Sequence, residues 1–396
     1  MRVLHITTAF PREAGDVITP WLVELLKRLR ASGVECEVLT SAYKGSPDQT
    51  FDGIPVHRFR YFARRWENLT HEETAPDRMR KSLLYKLLPF FFVGGGVLAA
   101  WRLGRRERYD VVHVHWPLPL AALGWAASRA ARAPTVTLFY GVELRWVASG
   151  MRALRGFLRW AIRRSDAVVA ISSYTAREVE ALQPGPVEVI PYTFELSAPG
   201  VRRPRNDGAF EILFVGRLVE RKGVVNLVDA LAALPDSLNA RLVVIGDGPE
   251  TERIRSRAAE RGVAGRVELR GRQPDEALRE AYASTDVFVL PAIVDSRGDT
   301  EGLGVVLLEA MNFGVPVIGS ASGGIVDIVL DEETGLLVPP GDVAALAAAL
   351  ERLARDPSFA RRLGESGQRF VAEKFSWAAI VERWMAVYSR VSGARR

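Results

Sequence analysis

At 396 residues the chain is too long for one ordinary domain and comfortable for two. A hydrophobic share of 48% and a charged share of 25% fit a globular protein, and a lone cysteine, Cys36, excludes an intrachain disulfide framework or a cysteine-rich metal site and suits a reducing, cytoplasmic compartment. The net charge of +6 is uneven: residues 1–200 hold 27 Lys+Arg against 19 Asp+Glu, and the remainder 26 against 28, so the first half is expected to meet something anionic, a membrane surface or an acidic ligand. Nucleic acid is not expected, because neither zinc-finger spacing nor a basic–aromatic RNA motif is present.

Along the chain, short β-branched runs alternate with helical patterns. MRVLHITTAF reads as a first strand, not a secretory signal, because Pro11, Arg12 and Glu13 follow at once. The runs RVLHIT, ECEVLT, DVVHVH, PTVTLF, AVVAIS and VEVI have the unbroken apolar character of a parallel sheet covered on both faces. Between them lie helical patterns such as WLVELLKRLRASG. Leu87–Trp101 is apolar, but it is shorter than the roughly 20 residues of a spanning helix and contains Pro89 and three glycines, so it is not expected to cross a membrane. The Arg-rich stretches Arg78–Arg108 and Arg152–Asp166 carry apolar and basic residues in a pattern suited to lying on an anionic bilayer surface.

A second series then begins: FEILFVGRL, RLVVIG, RVELRG, DVFVLP and VPVIGS. The seam is the Pro-, Gly- and Arg-rich Leu196–Gly208. The expected architecture is α/β, with two Rossmann-like doubly wound domains facing across a cleft. Residues 1–197 make the first domain and 198–375 the second, while 376–396 pack back on the first. No G-x-G-x-x-G dinucleotide fingerprint and no P-loop occur; GDGP has two of the glycines and then Pro249.

Two stretches carry chemistry. In GRLVERKG, Gly216 closes a strand, and Arg217 and Lys222 follow on the turn, two cations at a sheet edge where a diphosphate can sit. Both read as partly exposed loop cations that pack little. In DTEGLGVVLLEAMNF, the N–H groups of Gly302, Leu303, Gly304 and Val305 open a helix without intrahelical partners. Glu301 at its mouth and Glu309 one turn inside are acceptors only, so they suit sugar hydroxyls rather than phosphate. A nucleotide sugar has the matching order of groups: ribose at Glu309, diphosphate at the cations and helix end, hexose at Glu301. His113 and His115 lack a third residue at metal-ligand spacing and read as strand-end histidines, one facing the core and one the cleft; no metal is expected.

Together these motifs resemble family 4 retaining glycosyltransferases with the GT-B fold. The resemblance rests on the E-x7-E of Glu301 and Glu309, GRLVERKG, VIGDGPE, RGRQPDEALREAYASTDVFVLPA and SGGIVDIVLDEETGLLVPPGD. It implies transfer of a hexose from a nucleotide-diphosphate sugar to a lipid-linked or small-molecule acceptor, with retention of anomeric configuration and no metal or other cofactor. It implies that Arg217 and Lys222 bind the diphosphate, that backbone around Arg270, Arg272 and Gln273 frames the base, and that Gly15 and Asp16 close over the phosphates. Where family members carry a His-Gly, this chain has Tyr140-Gly141, so Tyr140 or His115 is expected to take that histidine's role at the hexose. The family's Pro-Asn-Gly-x-Asp is replaced by Pro191–Glu195, PYTFE. AIVDSRGD ahead of Thr300 resembles a subset acting in cell-surface polysaccharide synthesis. A nicotinamide-linked oxidoreductase and a non-catalytic nucleotide-sugar binder stand as alternatives.

Overall fold

The computed structural model describes residues 1–13, 15–16, 18–71, 78–79, 82–149, 152–194 and 208–394. Two compact units divide the chain: Met1–Ile171, Thr175–Ile190 and Ile380–Arg396 form the first, and Ser172–Tyr174 with Pro191–Ala379 the second. The expected seam, and with it the 197/198 boundary, lies outside the described residues apart from Gly208.

The first unit holds β1 (Arg2–Ile6), β2 (Glu35–Ser41), β3 (Gln49–Phe51), β4 (Ile54–Phe59), β5 (Val111–His115), β6 (Thr135–Phe139), β7 (Ala167–Ala170) and β8 (Glu188–Val189). They lie in the order β3-β4-β2-β1-β5-β6-β7-β8. All pairings are parallel except β3 with β4. That hairpin turns on Asp52-Gly53, both with positive φ, in the Asp-Gly turn chemistry that fixes two-residue hairpins. Its helices are α1 (Pro20–Ala31), α2 (Leu83–Arg106), α3 (Pro117–Ala131), α4 (Val142–Ser149), α5 (Arg155–Arg164) and α6 (Ser173–Leu182).

The apolar run Leu87–Trp101 does not break at its proline or its glycines. It sits inside the 24-residue α2, and Leu84–Arg106 is long and apolar enough to cross a membrane by length and composition. The glycines serve packing. A Cβ on Gly96 would stand 2.6 Å from Leu123 Cδ2, and one on Gly104 2.7 Å from the Ala127 carbonyl oxygen, so both let α2 lie close on α3. Leu88, Phe92 and Ala100 join Leu4, Ile6, Leu39 and Val114 in the core.

The second unit holds β9 (Phe210–Val215), β10 (Ala240–Ile245), β11 (Val267–Gly271), β12 (Val287–Leu290), β13 (Val317–Ser320) and β14 (Leu336–Val338), all parallel, in the order β11-β10-β9-β12-β13-β14. Helices α7 (Val224–Ala233), α8 (Thr251–Glu260), α9 (Asp275–Ser284), α10 (Val305–Asn312), α11 (Val343–Arg355) and α12 (Pro357–Lys374) follow the strands, and α13 (Trp377–Gly393) closes the chain. From Ile380 onward α13 belongs to the first unit, where Trp384 and Tyr388 are buried. In each sheet the chain starts at a central strand and runs first one way and then the other. The reversal falls between β1 and β5 in the first sheet and between β9 and β12 in the second. Ligands of open α/β sheets bind beyond the carboxyl ends of the strands at that reversal.

Candidate active site

Because the second sheet is parallel, its C-terminal edge gathers the loops that follow every strand. Gly216 to Lys222 leave β9, Gly246 to Gly248 leave β10, Gly271 to Gln273 leave β11, and the segment leading to Glu301 leaves β12. These loops touch backbone to backbone. Leu218 N–H donates to the Asp247 carbonyl at 2.9 Å, and Gly246 N–H to the Gly271 carbonyl at 2.8 Å. A Cβ on Gly223 (φ 67°) would lie 1.9 Å from the Pro291 carbonyl oxygen, so only glycine lets the turn after Lys222 reach the end of β12.

Lys222 is buried, and its Nζ stands 2.5 Å from Glu301 Oε2 in an ion pair whose side chains are 10% and 11% exposed. The reading of Lys222 as a loosely packed loop cation is therefore corrected. The turn through Glu220–Lys222 points the side chain inward, where an unpaired ammonium would be costly and a carboxylate is at hand. Burial alone would raise the pKa of Glu301. The Lys222 charge, with Arg221 behind it and the Leu303 N–H, outweighs that and holds the carboxyl below its ordinary value. Arg221 also stands 3.7 Å from Asp299. Tyr192, from the PYTFE segment, lies close enough to Glu301 and Arg221 to feel both charges, and burial raises its hydroxyl pKa. Neither Arg221 nor Tyr192 was singled out from the sequence: Arg221 precedes a more conspicuous lysine, and Tyr192 is a departure from the family pattern.

The Glu301 loop is fixed from the other side by Ser322-Gly323-Gly324. Thr300 and Ser322 share a 2.7 Å hydroxyl hydrogen bond, and Gly324 N–H donates to the Glu301 carbonyl at 3.0 Å. A Cβ on Gly323 would stand 1.8 Å from that same carbonyl oxygen, which explains the Gly-Gly of SGGI. Gly304 (φ 92°) then turns the chain into α10, at whose end Gly302 to Val305 are placed. Glu309 accepts a 2.8 Å hydrogen bond from the Tyr282 hydroxyl, and burial raises its pKa to about 7. Arg217 is exposed beside Gly216. Arg270 is exposed and paired with Glu268 at 2.9 Å, Arg272 is exposed, and Gln273 donates to the Arg270 carbonyl at 2.7 Å.

In the first unit, Gly15 (φ 86°) and Asp16 lie on the loop after β1. Burial would raise the Asp16 pKa, but Arg12, whose Nε is 2.6 Å away, more than offsets that and lowers it. Tyr140 directly follows β6 and His115 closes β5, and the two side chains meet: the Tyr140 hydroxyl and His115 Nδ1 are 3.0 Å apart. Tyr140 also stacks on Trp116 with ring centroids 4.3 Å apart. The expectation that one of His113 and His115 faces the core and the other a cleft is corrected, since both are fully buried; alternate residues of a strand share a face. His5, paired with His113 in the β1–β5 register, joins them.

The third residue missing from the linear spacing thus comes from another strand, and one ligand atom from each histidine lies within 4.8 Å of the others. Their geometry suits hydrogen bonding better than a cation. The His113 and His115 rings stack 4.1 Å apart and 22° from parallel, so one ion cannot lie in both ring planes. His5 Nδ1 meets His115 Nε2 at 3.2 Å, and His113 Nδ1 meets the Tyr388 hydroxyl at 2.7 Å. Burial lowers the pKa of all three, so they are neutral. His5 Nε2 has no partner, and an orphaned lone pair is more tolerable than an orphaned N–H. The relay therefore runs from His5 Nδ1–H to His115 Nε2 and from His115 Nδ1–H to the Tyr140 oxygen. Glu143 is a further buried group the sequence did not mark. It accepts from Tyr140 N–H at 2.8 Å, and burial raises its pKa to about 7.

Comparison with known proteins places the chain in a family. The family described as "Glycosyl transferase 4-like domain" matches residues 18–193, and "Glycosyl transferases group 1" matches residues 201–370. A GDP-mannose-dependent alpha-(1-6)-phosphatidylinositol monomannoside mannosyltransferase of Mycobacterium tuberculosis is 32% identical over 410 residues, covering 100% of both chains. The chain belongs to the group 1, family 4-like glycosyltransferases. An N-acetyl-alpha-D-glucosaminyl L-malate synthase of Bacillus anthracis is 26% identical over 96% of this chain and 95% of its own. Among solved structures, sucrose-phosphate synthase from Thermosynechococcus elongatus superposes with a TM-score of 0.76 at 25% identity, covering 99% of each chain. The glycosyltransferase has the GT-B fold, and the oxidoreductase alternative is set aside.

The buried pair makes a sharp prediction. Lys222→Met should destabilise the second unit by about 3–5 kcal/mol, because it strands Glu301 as an uncompensated buried charge. Adding Glu301→Gln should recover most of the loss. Denaturant titration of the three variants checks this, and a freely tolerated Lys222→Met would mean the pair is not buried.

Proposed function

We propose that this glycosyltransferase moves a hexose from a nucleotide-diphosphate sugar to a lipid-linked or small-molecule acceptor with retention of configuration and without a metal, in cell-envelope or polysaccharide synthesis. The observation that carries the reading is the sequence of groups at the β9–β12 reversal: a cationic turn, a helix N-terminus and two carboxylates. Lys222, Arg217 and the N–H groups of Gly302 to Val305 bind the diphosphate. Glu309 accepts the ribose hydroxyls, and Glu301 the hexose. The backbone of Arg270 to Gln273 frames the base, while Gly15 and Asp16 close over the phosphates. As the sugar–phosphate bond breaks, charge grows on the departing diphosphate, and cations already aimed there stabilise it more than the bound substrate. Tyr140, oriented by His115, donates to the hexose. In a front-face reaction the departing phosphate helps take the acceptor's proton.

The acceptor class is supported by the relatives. The mycobacterial one is named for a phosphatidylinositol monomannoside and for GDP-mannose, which favours a lipid acceptor; the enzyme would then work peripherally at the cytoplasmic face of a membrane. The Bacillus one is named for L-malate, a small acid, which keeps the small-molecule class in view.

Two measurements test the reading. With each of UDP-, GDP- and ADP-sugars, transfer in the presence of EDTA should give a product of the donor's anomeric configuration by NMR; inversion, or activity that returns only with Mg²⁺ or Mn²⁺, contradicts it. Donor affinity should rise about tenfold between pH 6 and pH 8. A carboxyl with pKa about 7 is half protonated near neutrality and accepts both ribose hydroxyls only when ionised. Calorimetry should show Glu309→Gln weakened by about 1.5–3 kcal/mol at the upper pH and no longer pH-dependent. An unchanged profile would remove Glu309 from the site.

A further inference from the structure

Helix α2 leaves an apolar face uncovered. Leu88, Phe92 and Ala100, four or eight residues apart, point into the core, and the opposite face presents Leu87, Phe90, Phe91, Leu98 and Trp101, between 40% and 75% exposed. Only 28% of the apolar window is buried. From Leu87 to Trp101, about 21 Å of helix, no residue carries a charge. A contiguous apolar stripe of this length on a domain surface marks a partner or a membrane.

The charges at its C-terminal end decide between them. Arg102, Arg105 and Arg106 follow directly and are exposed, and among the described residues no ion pair engages them. Beside them lies a cavity of about 380 Å³ lined by Leu98, Ala99, Arg102 and Arg106 of α2 and by His57 and Arg60 at the end of β4. His57 is paired with Glu37 and Arg60 with Glu67, Arg58 is buried and donates to the Pro11 carbonyl, and exposed Asp48 also lines the cavity, so Arg102 and Arg106 are its exposed cations without an ion pair among the described residues. Hydrocarbon-compatible surface ending in uncompensated arginines matches a lipid layer with anionic headgroups at its edge. The next helix adds Trp125, 41% exposed and edge-on to Trp160 of the Arg-rich α5 at 6.3 Å, and tryptophans favour that boundary. Crossing the bilayer would require α2 to leave the close contacts of Gly96 and Gly104 with α3, so the helix lies in the interface instead.

We propose that α2 docks the enzyme on an anionic leaflet, with Leu87, Phe90, Phe91, Leu98 and Trp101 in the acyl boundary and a lipid phosphate held by Arg102 and Arg106 at the cavity. Its purpose rests on the reading of a lipid-linked acceptor; its geometry does not. The test is co-flotation of the full chain with vesicles of phosphatidylcholine alone and of phosphatidylcholine with phosphatidylglycerol, with no donor present. Binding is expected to the anionic vesicles, weakening as salt rises. Arg102→Ala and Arg106→Ala should each lower partitioning about fivefold. The double change Phe90→Glu with Leu98→Glu should lower it about tenfold or more. All variants should keep the wild-type melting curve and affinity for UDP or GDP. Equal binding of wild type and variants, or none to anionic vesicles, overturns the proposal. So does a wild-type dimer in sedimentation equilibrium that Phe90→Glu dissociates, which would make the face a self-interface. Because the nucleotide affinities are measured on the same preparations, failure of docking is separable from failure of the transferase reading.

Discussion

The second unit is organised around one buried ion pair, Lys222 with Glu301. A carboxylate and an ammonium taken out of water repay their desolvation only with close geometry and further partners. The scaffold supplies both by backbone contact. Gly223 meets the end of β12, Gly324 donates to the Glu301 carbonyl, and Gly323 leaves no room for a side chain against it. The glycines of GRLVERKG and SGGI thus hold two charged groups at a distance set by main chain rather than by side-chain rotamers. Without a donor, the pair satisfies itself. On the proposed reading, an incoming diphosphate would offer Lys222 a second anion and release Glu301 toward hydroxyl groups.

The first unit solves a related problem with neutral groups. Three buried imidazoles line the β1–β5 reversal and are kept uncharged by burial. They connect Tyr388 of the last helix to one end of the cluster and Tyr140 to the other. The Tyr140 phenol is held in place by its contact with His115 and by stacking on Trp116. The sequence offers Tyr140 and His115 as alternatives for the place of the family's histidine, and the structure brings the two side chains into contact.

Much of the fold was legible because parallel strands covered on both faces read as unbroken apolar runs, and because glycines mark where β9 and β10 meet their loops. The two carboxylates were legible by spacing, since seven intervening residues place one in a loop and one inside α10. What the sequence hid was contact across strands. His5 and His113 lie 108 positions apart and are neighbours only through the β1–β5 register. Lys222 and Glu301 read as two separate ligand contacts, and only the turn of Glu220–Lys222 shows that they face each other. The full length of α2 was harder to read for a different reason. Pro89 and three glycines argue against a helix by propensity, and tertiary packing on α3 overrides that preference.

The central claim is that a donor's diphosphate takes Lys222 over from Glu301. Nucleoside diphosphates lack the sugar, so their affinity reports on Lys222 without the hexose contact. Calorimetry of UDP and GDP binding to Glu301→Gln tests the exchange directly. With its carboxylate partner gone, Lys222 is free for phosphate, and the diphosphate should bind about tenfold tighter than to the wild type while sugar transfer is lost. Affinity that is unchanged or weaker in Glu301→Gln would mean that the diphosphate never competes for Lys222, and that the cationic turn after β9 is not its seat.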